Sequence, residues 1–326
     1  SRLKIMAKLD IAEKRLPQDG RIALKIAGRH VDVRLSTIPT HFSERVVLRL
    51  LDKQAAPLDL AKLGLPKKEL HGLQHLIHQP HGIILVTGPT GSGKTTTLYA
   101  ALTDLNHPIR NIMTVEDPIE YNIDGISQTQ VNTKVKLNFA RGLRSILRQD
   151  PDVIMVGEIR DEETARMAVQ ASLTGHLVFS TLHTNTAIGA ITRLRDMGIE
   201  PFLISSTLIG VLAQRLVRVL CPDCKQTHRA TEDEQALLNL DQAQDICDAN
   251  GCDLCQQTGY RGRTGIYELV SINKTLQESI HHQADETQLL ATLGEQHTSL
   301  YQQAMTIVLQ GQTSISEMLR VSSEER

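Results

Sequence analysis

The sequence predicts an α/β protein: a core on a mostly parallel sheet, preceded by a small sheet domain and followed by a cysteine-rich lobe and short helices. Three observations predict it. Residues 88 to 95, Gly-Pro-Thr-Gly-Ser-Gly-Lys-Thr, form a phosphate-loop pattern directly behind the apolar run Ile83, Ile84, Leu85, Val86. Strand-sized apolar runs then alternate with amphipathic helical stretches up to Leu220. Two Cys-x-x-Cys pairs interrupt that alternation.

The first element is a hairpin. From Arg21 to Leu35 the pattern alternates twice, with Ile22, Leu24 and Ile26, a Gly28-Arg29 turn, then Val31, Val33 and Leu35, so one face is buried. Arg34 falls between Val33 and Leu35 on the polar face, and Arg49 sits in a further strand-like run, Val46 to Leu51. By pattern alone both arginines face solvent. A connector rich in Pro, Leu and Lys runs from Pro57 to Pro80 and sets the first boundary near residue 80, giving a domain over 1–79.

The core follows over 80–220, with strands expected at Ile83 to Thr87, Ile112 to Val115, Val153 to Val156 and Leu177 to Thr181. In the loop, Gly88, Pro89, Thr90, Gly91, Ser92 and Gly93 turn backbone N–H groups toward phosphate oxygens. Lys94 can reach the β- and γ-phosphates, the Thr95 hydroxyl suits Mg²⁺, and the helix opening at Thr95 and Thr96 points its positive end at the anion. The pattern therefore points to ATP and Mg²⁺ as ligands.

Hydrolysis also needs carboxylates. Val153-Ile-Met-Val-Gly-Glu158 is an apolar strand ending in an acid at the ligand edge of the sheet, so Glu158 can hold Mg²⁺ through its water shell. In Glu116-Asp117-Pro118-Ile119-Glu120 the proline stiffens the turn, and Glu120 is the general-base candidate. The competing reading of these acids, Glu116 above all, is a solvated loop face. His183, at the ligand end of the fourth strand, either reads the γ-phosphate or is a hydrogen-bonded structural residue; His176, before that strand, reads as structural.

Cys221, Cys224, Cys252 and Cys255 form two pairs separated by 27 residues. Four thiolates at this interval close a tetrahedral, structural Zn²⁺ site over a module at 221–264, and disulfides are the alternative. The gap exceeds the commonest ribbon spacing of about 15 to 20 residues, so an inserted loop is expected. Cys247 is spare. The segment 265–326 reads as short helices, the last opening with the capping-box spacing Ser314-Ile-Ser-Glu317.

Bulk properties narrow the function. Lys plus Arg number 35 against 37 Asp plus Glu, a net charge of −2 that supplies no field for nucleic acid or an anionic membrane. The apolar stretches fall far short of the ~20 residues that cross a bilayer. Membrane contact is therefore expected only through partners. The chain opens at Ser1, without an initiator methionine and without a leader pattern, which reads as a fragment or processed chain.

Several stretches together resemble the type II and type IV secretion superfamily of ATPases, most closely its type II secretion branch. They are Leu16 to Arg21, Gly88 to Thr96, Asn111 to Tyr121, Leu147 to Asp152 and Gly175 to Asn185. The resemblance spans nearly the whole chain. It implies a RecA-like motor preceded by a PAS-like domain, assembled as a homo-hexamer on the cytoplasmic side of the inner membrane and acting on inner-membrane platform proteins. It implies Glu120 as the water-activating residue, Glu158 in the Walker B position, His183 in the histidine box, and Arg34 and Arg49 as arginine fingers. Arg144 and Arg148 look like further interface arginines. The family's amino-terminal docking domain has no counterpart in this sequence, and the PAS-like domain begins part-way through. Retraction ATPases of type IV pili lack the tetracysteine module, whereas secretion and pilus-extension ATPases carry it. The expected output is thus export of folded proteins through pseudopilus assembly, with pilus extension as the nearest alternative. A non-hydrolysing nucleotide scaffold and a nucleic-acid translocase are the rivals from other classes.

Overall fold

The computed structural model describes residues 1–26, 29–52, 59–294 and 297–322. The chain divides into two compact units, 1–57 with 118–124, and 58–117 with 125–326. The larger unit thus begins at residue 58, where the sequence sets the boundary near 80.

In the smaller unit, α1 (Arg2–Met6) precedes the antiparallel strands β1 (Gln18–Ile26), β2 (Arg29–Pro39) and β3 (Glu44–Asp52), in the order β1-β2-β3. The expected hairpin is present, although its Gly28 turn lies outside the described residues. Ala7, Ile22, Val33 and Leu35 form its core. The chain leaving α1 crosses β1 so closely that a Cβ on Gly20 would lie 2.8 Å from Ala7. The buried Lys4 ammonium donates to the Glu13 carbonyl at 2.7 Å and pairs with Glu44, so its charge is compensated. The third strand is where expected, but Val46, Val47, Leu48 and Leu50 on it are 42 to 69 % exposed.

The larger unit runs α2 (Lys67–Ile77), β4 (Gly82–Thr87), α3 (Lys94–Leu105), β5 (Ile112–Glu116), β6 (Ser127–Gln130), α4 (Phe139–Ile146), β7 (Val153–Val156), α5 (Glu162–Leu173) and β8 (Leu177–Leu182). It continues through α6 (Ala187–Asp196), α7 (Pro201–Thr207), β9 (Leu208–Leu220), β10 (Gln226–Arg229), α8 (Glu232–Leu238), β11 (Asp245–Asp248) and β12 (Tyr260–Ser271). Four helices close it: α9 (Lys274–His281), α10 (Glu286–Leu293), α11 (Leu300–Leu309) and α12 (Ile315–Ser322). It is mixed α/β around a seven-stranded sheet of order β12-β9-β4-β8-β7-β5-β6, parallel except for β12 against β9. Every residue of β4, β7 and β8 is buried, which is why these strands read as continuous apolar runs with no alternation.

The four expected core strands all appear. Two boundaries move. The connector carries α2, whose Leu73, Leu76 and Ile77 are buried, and a Cβ on Gly210 of β9 would lie 2.5 Å from Leu76. It is therefore packed onto the sheet. The expected division at 264/265 cuts through β12, the antiparallel edge strand, so the cysteine lobe is an excursion between two neighbouring strands. The polar opening of β12, Tyr260-Arg-Gly-Arg-Thr, concealed it.

Among the described residues no helix is long and apolar enough to cross a membrane. At α12 the Ser314 hydroxyl accepts from the Glu317 N–H at 3.3 Å, half of the expected capping box. The buried Glu317 carboxylate instead accepts from the Arg218 backbone and guanidinium and from Arg320, at 2.7 to 2.9 Å, pinning α12 to β9.

Candidate functional site

The phosphate loop lies between β4, buried throughout, and α3. Gly88, Gly91 and Gly93 have φ of 141°, 82° and 89°, the left-handed region that L side chains avoid. At Gly88 a Cβ would also stand 2.3 Å from the Gln214 carbonyl. Pro89, Thr90 and Gly91 are exposed at the tip, while Ser92 and Lys94 are buried. The N-cap of α3 is Gly93, so no side-chain oxygen occupies the positive end of the helix. Lys94 donates to the carbonyls of Gly88 at 2.7 Å and Pro89 at 3.0 Å. Burial draws its pKa down, and the Glu158 charge opposes that shift. Thr95 and Thr96 follow half-buried in the first turn.

Glu158 stands two residues past β7, with its side chain 12 % exposed. Its carboxylate is bracketed by Arg160 at 2.6 Å and His183 Nε2 at 3.5 Å. The hydrogen bond from Arg160 raises that guanidinium's pKa. The loop carrying His183 is tied to the phosphate-loop strand, because the Thr87 hydroxyl donates to the Thr184 carbonyl at 2.9 Å and accepts from the Thr184 N–H at 3.0 Å. Lys94, Glu158 and His183 therefore come together at the carboxyl ends of β4, β7 and β8, where an open parallel sheet places ligands. His176 is structural: its Nδ1 lies 2.8 Å from the Ala171 carbonyl and 3.0 Å from the Thr174 hydroxyl.

The solvated-loop reading of Glu116 does not hold. It ends β5, is 2 % exposed, and its carboxylate accepts from Tyr99 and, at 2.6 and 3.1 Å, from Thr114 and Gln128. Glu120 is half-buried in the segment 118–124, which belongs to the smaller unit. Arg34 and Arg49 lie in that unit too, directly opposite each other on β2 and β3, with Arg21 opposite Arg34 on β1. The register thus puts the three arginines on one face of the small sheet. Arg144 pairs with Glu163 at 3.0 Å, and Arg148 donates to the Arg144 carbonyl at 2.9 Å.

In the cysteine lobe, β10 and β11 form a two-stranded ribbon with α8, and His228 sits between Glu234 at 3.1 Å and Asp248 at 3.7 Å. The sulfurs of Cys221, Cys224, Cys252 and Cys255 lie within 4.8 Å of one another. The separations 221–252, 224–255 and 252–255 are 4.0, 3.8 and 3.7 Å. A tetrahedron with metal–sulfur arms of ~2.3 Å has edges of ~3.8 Å, so the residues fit Zn²⁺. Burial raises Cys224 to about 12; it opposes ionisation of Cys255 as well, but N–H donors from Cys252 and Gly259 prevail there and bring that thiol to about 6. None of the five cysteines is in a disulfide, and Cys247 is buried outside the cluster.

Residues 1–320 match the family model described as Type II/IV secretion system protein. The chain belongs to that family. It is 62 % identical over 327 residues to Type II secretion system protein E of Pseudomonas aeruginosa, covering all of this chain and 65 % of the relative. It is 61 % identical over 326 residues to Type II secretion system ATPase E of Vibrio cholerae, covering 99 % of this chain and again 65 % of the relative. The chain thus spans about two-thirds of the length of these curated relatives, 65 % in both cases. Among solved structures it is similar to the pilus retraction motor PilT with bound ADP, with TM-score 0.70, 30 % identity and coverage of 94 % of this chain and 78 % of that one. The Legionella pneumophila ATPase DotB shares the fold, with TM-score 0.69, 23 % identity and coverage of 95 % and 78 %.

Three side chains at this family member's site escaped the sequence reading: Arg160 on Glu158, Thr87 on the His183 loop, and Gln214, which reaches the phosphate loop from β9. The first was two residues from a chosen acid. The other two act across 97 and 122 residues, and only strand order brings them in.

Proposed function

We propose that this chain is the ATP-hydrolysing motor of a type II secretion system, coupling hydrolysis to pseudopilus assembly and to export of folded proteins across the outer membrane. The observation that carries the reading is the convergence of Lys94, Glu158 and His183 on the positive end of α3, in a chain about 60 % identical to relatives named as type II secretion protein E. The ADP bound to PilT supports a nucleotide as ligand.

In this reading the unit around the seven-stranded sheet is a RecA-like motor and the smaller unit is PAS-like. The loop N–H groups and Lys94 bind the phosphates, the Thr95 hydroxyl and Glu158 hold Mg²⁺, Glu120 orients the attacking water, and His183 reads the terminal phosphate. Magnesium, when bound, supplies neutralisation of the phosphate charge. Arg34 and Arg49 stabilise charge that develops in the transition state. Cys221, Cys224, Cys252 and Cys255 hold a structural Zn²⁺ that closes the lobe. The working assembly is a homo-hexamer, cytoplasmic and peripheral to the inner membrane, which it meets through platform proteins.

Phosphate release tests this. Wild type should hydrolyse ATP only with Mg²⁺, and Glu158→Ala should lose that turnover; hydrolysis that survives the substitution, or a wild type that binds ATP without turning it over, refutes the motor.

A further inference from the structure

We infer that Gln214, on β9, is a positioning residue that sets the phosphate-facing shape of the loop; the inference rests on the nucleotide reading above. Gln214 is 1 % exposed. Its Nε2 donates to the Ser92 carbonyl at 2.6 Å, and its Oε1 accepts from the Thr97 hydroxyl at 2.7 Å. The network fixes the amide orientation, because the flipped form would press Oε1 against the Ser92 carbonyl, acceptor against acceptor.

One side chain must here supply a donor and an acceptor without a charge. Glutamate would face the Ser92 carbonyl with a second acceptor and bury a charge, and leucine would orphan both partners. The glycines of the loop are shaped to the same residue. A Cβ on Gly88 would lie 2.3 Å from the Gln214 carbonyl, and one on Gly93 would lie 2.9 Å from Nε2. The loop therefore wraps Gln214 at two glycines with positive φ, and the amide holds Ser92 between them. Gly93 and Lys94 follow at once, so a displaced Ser92 carries with it the α3 N–H groups and the ammonium that face the phosphates. Gln214 touches neither phosphate nor metal in this assignment; it acts through Ser92 and Thr97.

The test is nucleotide affinity in the folded protein. ATP and ADP titrations, with melting temperatures recorded without nucleotide, would compare wild type with Gln214→Leu, Gln214→Glu, Thr97→Val, Thr97→Ser and the Gln214→Leu/Thr97→Val double variant. Gln214→Leu and Gln214→Glu should weaken both nucleotides on the order of 10-fold, and Thr97→Val several-fold. Thr97→Ser should bind as wild type does, and the double variant should be no weaker than Gln214→Leu alone. A folded Gln214→Leu with wild-type affinity overturns the inference, as do effects of the two sites that simply add. If neither Gln214 variant folds, the Thr97 pair decides: equal affinity of Thr97→Val and wild type overturns it. Wild type that fails to bind ATP overturns the nucleotide reading itself, and the two failures are distinguishable.

Discussion

The phosphate loop and the cysteine lobe are both short polar excursions from the same sheet, yet they are held by opposite means. The loop is anchored by a neutral hydrogen bond from the amide of Gln214, buried on β9, to the Ser92 carbonyl. Its shape comes ready-made from the fold. The lobe contributes few buried apolar side chains, Ala230, Leu238 and Ile246 among them, and its two ends meet at the four clustered cysteines. With the Zn²⁺ proposed above, a small lobe with little core draws its local stability from that ligand, whereas a loop moulded on a sheet needs none.

The largest expected effect tests the lobe. On the proposed Zn²⁺ site, chelation should lower the free energy of local opening across β10, α8 and β11 by several kcal/mol, read as faster hydrogen exchange there, while β4, β7 and β8 stay protected. Equal protection with and without chelator would remove the contrast between the two regions. On the loop, Lys94→Ala should cost roughly 10² to 10³ in ATP turnover and leave the sheet intact by circular dichroism, since in the proposed function it removes a phosphate contact while the strands keep their packing.

Next comes the ionic clamp between β9 and α12, close to the lobe. Burial works against the Glu317 charge, but Arg320 and Arg218 more than compensate and hold its carboxyl at about 2 against an ordinary 4.5. The folded pKa is the depressed one, so this stabilisation is complete above the unfolded value and fades as pH falls from about 4.5 toward 2. Glu317→Gln should cost about 3 kcal/mol at neutral pH by denaturant unfolding and flatten the acid limb between those values. An unchanged acid limb would show that the clamp does not govern it. The smallest effect is Thr87→Val, about 1 kcal/mol, because it orphans the Thr184 N–H and loosens the His183 loop without altering the sheet.

Legibility followed the range of the interaction. The loop, Glu158 at the end of its strand and the cysteine pairs were readable because each is a contiguous run or a short spacing with its own conformational demand. In one acidic stretch the sequence makes Glu120 the general-base candidate and sets a solvated face against Glu116; the fold buries Glu116 among Tyr99, Thr114 and Gln128 and leaves Glu120 in the segment grouped with the smaller unit. Strand β6 was missed because Ser-Gln-Thr-Gln lies at the sheet edge and needs no apolar face.

What the amino-acid order determined alone was local: glycines where φ must be positive, uninterrupted apolar runs where a strand is covered on both faces, and cysteines spaced for a tetrahedron. What only tertiary structure decided was which distant polar groups meet. Strand order put β9 beside β4 and so set Gln214 behind a loop 122 residues earlier in the chain, and it returned β12 to the sheet after the lobe. The physical reason is that backbone conformation is chosen by neighbouring residues, whereas the partner of a buried polar group is chosen by register and packing.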